Sequence, residues 1–231
     1  MRIRFHYILL AGLMFASCKK DNYSPPSDAF TGRIVYNGEP INVSQGDVFF
    51  ELWESGWGKL TPINVAIGQD GTFSSMLFNA SYKLVIPRAQ GPFMSKPDAS
   101  THNDTIMLDL HGSQSLDIEV LPYYMVRTPA FSAAGRKVSA SCKLEQIVKD
   151  ANAKDVERVY LYVNKTQFVD GRLNIAAASI AGSDITDLSN VSLQVDVPDI
   201  VPTQNYIFAR IGVKVSGVED MVFSPVEKIT L

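Results

Sequence analysis

The chain is short of the residues from which many catalytic and metal centres are built. Its 231 residues include only three histidines and two cysteines. Two of these, His6 and Cys18, lie within the first 18 positions, so that the remainder keeps His102, His111 and Cys142. Thiol nucleophiles paired with a base, and zinc sites, depend on these residue types. Much of that chemistry is therefore excluded, and Cys142, which has no partner, is expected to be a core residue.

Basic charge is also lacking. The net charge is −3, and the first 18 residues contain two arginines but no acid, so the rest of the chain is more acidic than the whole. A protein that binds nucleic acid needs a basic face to neutralise phosphates. We therefore expect no nucleic-acid partner. After residue 18 there is no run of 18 apolar residues, the length that a membrane-spanning helix requires.

Common catalytic motifs are absent as well. The chain contains no Gly-x-Ser-x-Gly, phosphate loop, dinucleotide fingerprint or His-Glu-x-x-His. We therefore expect no enzyme and no cofactor. Two alternatives stay open, because acids that are distant in sequence can converge in a fold. A pair of glycosidase carboxylates could come from Asp196, Asp199, Glu219 and Asp220, and a calcium site from Asp184 and Asp187.

The N-terminus has the pattern of an export signal. A basic start is followed by an apolar run over residues 7–15 and by the small residues Ala16 and Ser17 directly before Cys18. This arrangement resembles the lipobox of bacterial lipoproteins. The resemblance implies a signal peptide over residues 1–17 and acyl chains on Cys18 that anchor the protein to a membrane. The alternative is a plain signal peptide in which Cys18 is incidental.

Residues 18–27 are predicted to be a lipid-anchored tether. The start Cys-Lys-Lys-Asp at residues 18–21 resembles that of Bacteroidetes lipoproteins from polysaccharide-utilisation loci, and Pro25 and Pro26 stiffen the segment that follows. The resemblance implies attachment to the outer membrane, facing the cell exterior.

The rest of the chain has the pattern of an all-β protein. Short alternating or apolar runs are separated by turn residues every eight to twelve positions, which is typical of β-sandwiches. One helical turn is predicted, around residues 144–153. Pro122 interrupts the series and a fresh one follows. We therefore predict two β-sandwich domains in tandem, over residues 28–122 and 123–231.

Each predicted domain resembles a known type of sandwich. In the first, residues 32–41 (Gly-Arg-Ile-Val-Tyr-Asn-Gly-Glu-Pro-Ile), 70–73 (Asp-Gly-Thr-Phe) and 80–84 (Ala-Ser-Tyr-Lys-Leu) resemble the carboxypeptidase-regulatory or transthyretin-like domain. In the second, the alternation of Ile207 to Val215 after Tyr206 resembles fibronectin type III and immunoglobulin-like domains. Such domains serve many functions, so this resemblance bears on the fold alone.

Taken together, the two domains behind a lipobox are similar to an uncharacterised family of Bacteroidetes lipoproteins. Members are encoded beside starch-utilisation-type outer-membrane transporters and their glycan-binding lipoproteins. The resemblance implies a non-enzymatic surface lipoprotein that binds or helps present glycan, with those transporters and lipoproteins as its partners. The alternative is a structural spacer or docking subunit that contacts only proteins.

A glycan site needs an aromatic ring for the C–H face of the sugar and polar groups for its hydroxyls. Both tryptophans, Trp53 and Trp57, lie within five residues and flank Glu54, and Tyr123 and Tyr124 lie at the predicted domain junction. These five residues are the candidate glycan site. The alternative for each aromatic residue is packing at a sandwich edge or between domains.

One residue is a candidate for modification. The sequence Asp-Thr-Ile at residues 104–106 resembles the O-glycosylation acceptor of exported Bacteroidetes proteins and makes Thr105 the candidate. The alternative is that Thr105 only begins a strand.

Overall fold

The structure, a computed structural model, describes residues 24–56 and 59–231. It confirms an all-β protein with two tandem sandwiches. Cys18 and Trp57 lie outside the described residues. Within the described ranges, no helix has the length and apolar character needed to cross a bilayer.

The N-terminal domain is formed by two sheets. One has the order β2-β1-β10-β7, with β5 and β9 also paired to β1, and the other has the order β4-β3-β6-β8. The strands are β1 (Asp28–Tyr36), β2 (Glu39–Pro40), β3 (Phe49–Glu54), β4 (Ile63–Ala66), β5 (Thr72–Leu77), β6 (Ala80–Val85), β7 (Phe93–Ser95), β8 (Ile106–Leu110), β9 (Gln114–Ser115) and β10 (Ile118–Pro122).

An aromatic cluster joins these two sheets. Phe30 of β1, Phe50 of β3 and Phe73 of β5 are buried, and the Phe50 and Phe73 ring centroids are 4.8 Å apart at 81°. Edge-to-face packing of this kind adds to the free energy gained from apolar burial. The alternating pattern of the strands therefore produces a single core between the sheets.

Local sequence determines the first hairpin. Asn37 and Gly38 have φ of 51° and 78°, so this Asn-Gly pair forms the tight turn that its sequence predicts between β1 and β2. Gly32 is required for a different reason, since a Cβ atom there would lie 1.9 Å from the carbonyl oxygen of Leu116.

The C-terminal domain consists of a three-stranded sheet, β11-β12-β15, and a five-stranded sheet, β14-β13-β16-β17 with β18 also paired to β16. Their bounds are β11 (Tyr124–Ala134), β12 (Lys137–Gln146), β13 (Val156–Asn164), β14 (Ala176–Ala181), β15 (Val191–Asp196), β16 (Tyr206–Val215), β17 (Val222–Phe223) and β18 (Glu227–Thr230), with a short 3₁₀ turn at Gly182–Asp184.

One sequence prediction for this domain is wrong. Residues 144–153 form no helical turn, because Leu144 still belongs to β12 and Leu188 accepts its backbone N–H. A loop follows, closed by a turn in which Ala153 donates to the carbonyl of Asp150. Cys142 lies in the core as predicted, 4% exposed, and burial raises the pKa of its thiol to about 11.

A buried arginine fixes the two domains against each other. Alternation along β16 directs Ile207, Ala209 and Ile211 into the core of the C-terminal domain and Arg210 to the opposite face. That face is covered by N-terminal loops, so Arg210 is completely buried. Its guanidinium donates to the carbonyls of Val43 at 3.0 Å and Gln69 at 2.5 Å across the junction. The domains are therefore joined by directional bonds as well as by apolar contact.

Candidate functional site

A cleft of about 580 Å³ lies at the junction of the two domains. One wall comes from the N-terminal domain, through the loop after β6, strand β7 and Asp104. The other comes from the C-terminal domain, through the loops at residues 152–154 and 217–218, and Tyr123 links the two walls. Ligand sites of this volume are frequent at domain interfaces. We refer to it below as the junction cleft.

Tyr123 supplies the aromatic surface of the junction cleft. It is half-buried, and its backbone N–H donates to the carbonyl of Pro92 at 3.2 Å. The ammonium of Lys154 lies 5.8 Å from the centroid of its ring, within the range of a cation–π contact. Burial raises the pKa of the phenol. Of the two tyrosines predicted for a glycan, Tyr123 is thus the one that lines a cavity.

Tyr124 does not belong to the site. Its ring is 3% exposed, and its hydroxyl donates to the backbone carbonyl of Lys154 at 3.0 Å. Tyr123 lies between β10 and β11 and lines the cleft, whereas Tyr124 begins β11 and enters the core. Its role is to hold the Lys154 loop, and we withdraw it as a ring for sugar stacking.

The N-terminal wall of the cleft is closely packed. Gly91 has φ of 82°, and a Cβ atom there would lie 2.5 Å from the ring of the buried Phe93. Its N–H donates to the Asp220 carboxylate of the other domain at 2.8 Å. Glycine alone combines the left-handed backbone conformation with the absence of a Cβ atom beside Phe93. The backbone of this wall is therefore fixed at Gly91.

Trp53 lies elsewhere, on the solvent-facing surface of the second N-terminal sheet. It pairs with Lys83 of β6, which pairs in turn with Met107 of β8, so the three side chains form a row across the sheet. Trp53 is half-buried, and its indole N–H donates to Glu51 at 2.8 Å. Met107 is 62% exposed. Neither Trp53 nor Lys83 lines the junction cleft.

Glu54 ends the same strand. It lines a depression of about 220 Å³ together with Lys59, Thr61, Ile63 and Phe78. Trp57 falls outside the described residues. The structure places Trp53 and Glu54 in one region of the second sheet, and neither residue lines the junction cleft. The four described residues of the predicted glycan site therefore lie in separate places.

Thr105 lies directly before β8, as a residue that begins a strand would. It is half-buried, and its N–H donates to the side chain of Asn103 at 3.0 Å. Its O-glycosylation stays a prediction.

The predicted calcium site involved Asp184 and Asp187. Asp187 accepts hydrogen bonds from the N–H and hydroxyl of Ser189. Across residues 24–56 and 59–231, no three metal-ligating side chains come together.

Carboxylates do gather in a small polar pocket next to the cleft. Asp47, Glu219 and Asp220 line about 380 Å³ with Gln90 and Arg172. Arg172 pairs with Asp47 at 2.5 Å, and Asp220 accepts the bond from Gly91. Burial, and then Asp47 and Glu219, raise the pKa of Asp220. Asp47 and Asp220 are thus engaged in contacts between the domains.

Comparison with known proteins agrees with this architecture. A family model described as a protein of unknown function (DUF3823) N-terminal domain matches residues 28–121, and one described as a domain of unknown function (DUF3823_C) matches residues 124–228. The chain belongs to the DUF3823 family. None of the curated proteins matches it.

Solved DUF3823 structures share the whole fold. One from Parabacteroides merdae has 30% identity and a TM-score of 0.76 over 90% of this chain and 100% of its own. One from Bacteroides ovatus has 29% identity and a TM-score of 0.77 over 89% and 100%. A Bacteroides uniformis protein described as a putative carbohydrate binding protein has 20% identity and a TM-score of 0.69 over 89% and 100%.

These comparisons confirm the uncharacterised two-domain Bacteroidetes family that the sequence resembled. They indicate no enzyme family. Sequence reasoning missed two cleft residues, Arg88 and Lys154, because they come from different domains and neither belongs to a motif.

Proposed function

We propose that this DUF3823 protein is a non-enzymatic, lipid-anchored protein of the cell surface that binds glycan in the junction cleft. It would act beside an outer-membrane polysaccharide importer and the glycan-binding lipoproteins encoded with it. The observation that carries the proposal is the half-buried Tyr123 within a cleft of about 580 Å³ between the two sandwiches.

The chemistry of the cleft suits a sugar. The Tyr123 ring offers an apolar face, and Ser95, Asp104 and Asn152 offer hydroxyl, carboxylate and amide groups beside it. A sugar ring has C–H faces that stack on an aromatic surface and hydroxyls that bond to such groups. The walls of the cleft, from two domains, would also bury more of a ligand than the face of the single sheet that carries Trp53.

Placement at the outer membrane rests on the N-terminal sequence. The lipobox resemblance at Cys18 and the Lys-Lys-Asp that follows support lipidation and display on the outer face. The resemblance to lipoproteins of polysaccharide-utilisation loci supports the importer as partner. The Bacteroides uniformis protein of similar fold, through its description, supports carbohydrate as the ligand class.

The proposal is tested by retardation of the protein in gels that contain single polysaccharides. We expect the protein to be retarded by at least one polysaccharide and Tyr123→Ala to lose about tenfold in affinity, which is about 1.4 kcal/mol. Tyr36→Ala is the matched control, because Tyr36 is also half-buried but lies at the end of β1 and does not line the cleft.

The competing function, a spacer or docking subunit, predicts a different outcome. In that case no polysaccharide retards the protein, and Tyr123→Ala lowers the melting temperature without changing mobility. Hydrolysis of a retained polysaccharide, seen as released reducing ends, would contradict the non-enzymatic part of the proposal.

A further inference from the structure

The junction cleft contains two cations on opposite walls. Arg88 comes from the exposed loop after β6 in the N-terminal domain, and Lys154 comes from the loop before β13 in the C-terminal domain. Seven close contacts between cations and carboxylates involve the described residues, and neither Arg88 nor Lys154 takes part in any of them. Both charges are thus available to a ligand.

Lys154 is held in position without an acid. Its backbone carbonyl accepts the Tyr124 hydroxyl at 3.0 Å, and its ammonium lies 5.8 Å from the centroid of the Tyr123 ring. A Cβ atom on Gly217 would be 3.5 Å from that ammonium, so the neighbouring turn also confines it. A half-buried cation that is partly removed from water and lacks a counter-charge gains from an anion placed beside it.

Acids contribute little to the lining. Asp104 is the one carboxylate that lines the cleft, and it is exposed and accepts from the Ser95 hydroxyl at 3.2 Å. The lining therefore carries two positive charges and one negative charge in a chain whose net charge is −3. Asp47, Glu219 and Asp220 line the neighbouring pocket and not the cleft itself. The groups that a ligand in the cleft would touch therefore carry a net positive charge, which favours anionic ligands over neutral ones.

The loop that carries Arg88 is strained. Ala89 has φ of 65°, a conformation that residues with a side chain adopt rarely and that costs about 1 kcal/mol or more. Such outliers persist where the surrounding structure fixes them, and they cluster at ligand sites. Ala89 itself lines the cleft.

We propose that the junction cleft selects an anionic oligosaccharide, one whose sugars carry a carboxylate or a sulfate group. Arg88 and Lys154 bind the anionic groups from the two walls, and Tyr123 stacks on a sugar ring between them. The inference rests on the proposed function of glycan binding and specifies its ligand class.

The test compares oligosaccharides of equal length that differ in charge. An α-1,4-linked galacturonic acid tetramer and the galactose tetramer of the same linkage differ only at C6, and a sulfated galactose tetramer is the third probe. By calorimetry we expect an affinity about tenfold or more higher for at least one anionic tetramer than for the neutral one. That advantage should shrink as NaCl is raised from about 50 to about 300 mM, because salt screens charges.

Variants locate the effect. Arg88→Gln and Lys154→Gln should each remove most of the preference for the anionic tetramer, while Lys83→Gln, on the Trp53 row, should leave it unchanged. Equal affinity for charged and neutral tetramers would overturn this inference and leave glycan binding intact. Loss of the preference in Lys83→Gln alone would also overturn it, and binding of none of the tetramers or polysaccharides would overturn both proposals.

Discussion

The Arg210 guanidinium lies 4.3 Å from the centroid of the Phe223 ring, on the face of β16 that the N-terminal domain covers. Phe223 also crosses the junction, because its N–H donates to the carbonyl of Asn42 at 2.9 Å. Burial lowers the pKa of Arg210 to about 9, so the side chain is still charged at pH 7. A buried cation thus lies at the centre of the interface that shapes the cleft.

Replacing Arg210 tests this interface. Arg210→Met keeps much of the volume but removes the side-chain donor of the carbonyls of Val43, Val169 and Ser224. The Gln69 carbonyl also loses the guanidinium but keeps the N–H of Val43, at 3.3 Å, as a donor. Since each buried unpaired acceptor costs about 1–3 kcal/mol, we expect the free energy of unfolding to fall by about 3 kcal/mol or more, measured by urea denaturation. Arg158→Met is the control, because Arg158 donates only to the Ser179 hydroxyl at the surface. Similar small losses in both variants would contradict the account.

The pH dependence of stability tests Asp220. Its pKa is raised in the folded protein, first by burial and then by Asp47 and Glu219. The folded state therefore binds a proton more readily than the unfolded state, and the stability due to protonated Asp220 is lost as the pH rises above the unfolded value.

We expect Asp220→Asn to be more stable relative to the wild type at pH 7 than at pH 4. The melting temperatures of the variant and the wild type are compared at each pH. Asp117, whose pKa is lowered chiefly by Arg33, makes stability rise with pH, but it does so equally in both proteins and cancels in the difference. A difference between variant and wild type that is the same at both pH values would show that the Asp220 carboxyl is not perturbed.

Gly91 tests the shape of the N-terminal cleft wall. Gly91→Ala is destabilised both by the left-handed backbone conformation and by overlap of the new methyl group with the Phe93 ring. Gly112 has φ of 89° and nothing within 4 Å of a Cβ atom, so Gly112→Ala is destabilised by the backbone conformation alone. We expect Gly91→Ala to lose about 1–3 kcal/mol more stability than Gly112→Ala. Equal losses would mean that the wall adjusts freely.

Cys18 tests the anchoring proposal. Cys18→Ala should move the protein from the membrane fraction to the soluble fraction, because no acyl chains can be attached. Cys142→Ala is the control and should stay at the membrane, since the Cys142 thiol is buried in the C-terminal core. Labelled palmitate entering the Cys18→Ala variant would contradict the assignment.

The features that the sequence predicts correctly are those that depend on residues close together in the chain. The Asn37-Gly38 turn and the alternation along β16 depend on neighbouring residues, and both are found in the structure. The position of Arg210 depends on a distant domain that covers its strand, so the pattern alone would place it in solvent. Likewise, the sequence places two adjacent tyrosines at the junction, but which of Tyr123 and Tyr124 faces the cleft depends on how the two domains meet.

The central claim is tested most directly by the affinity of two variants for a polysaccharide that retards the wild type. We predict that Tyr123→Ala raises the dissociation constant about tenfold in calorimetry. Trp53→Ala, on the solvent-facing surface of the second N-terminal sheet, should change the constant less than about twofold. A large loss in Trp53→Ala with an unchanged constant in Tyr123→Ala would place the glycan on the sheet and contradict the junction cleft as its site.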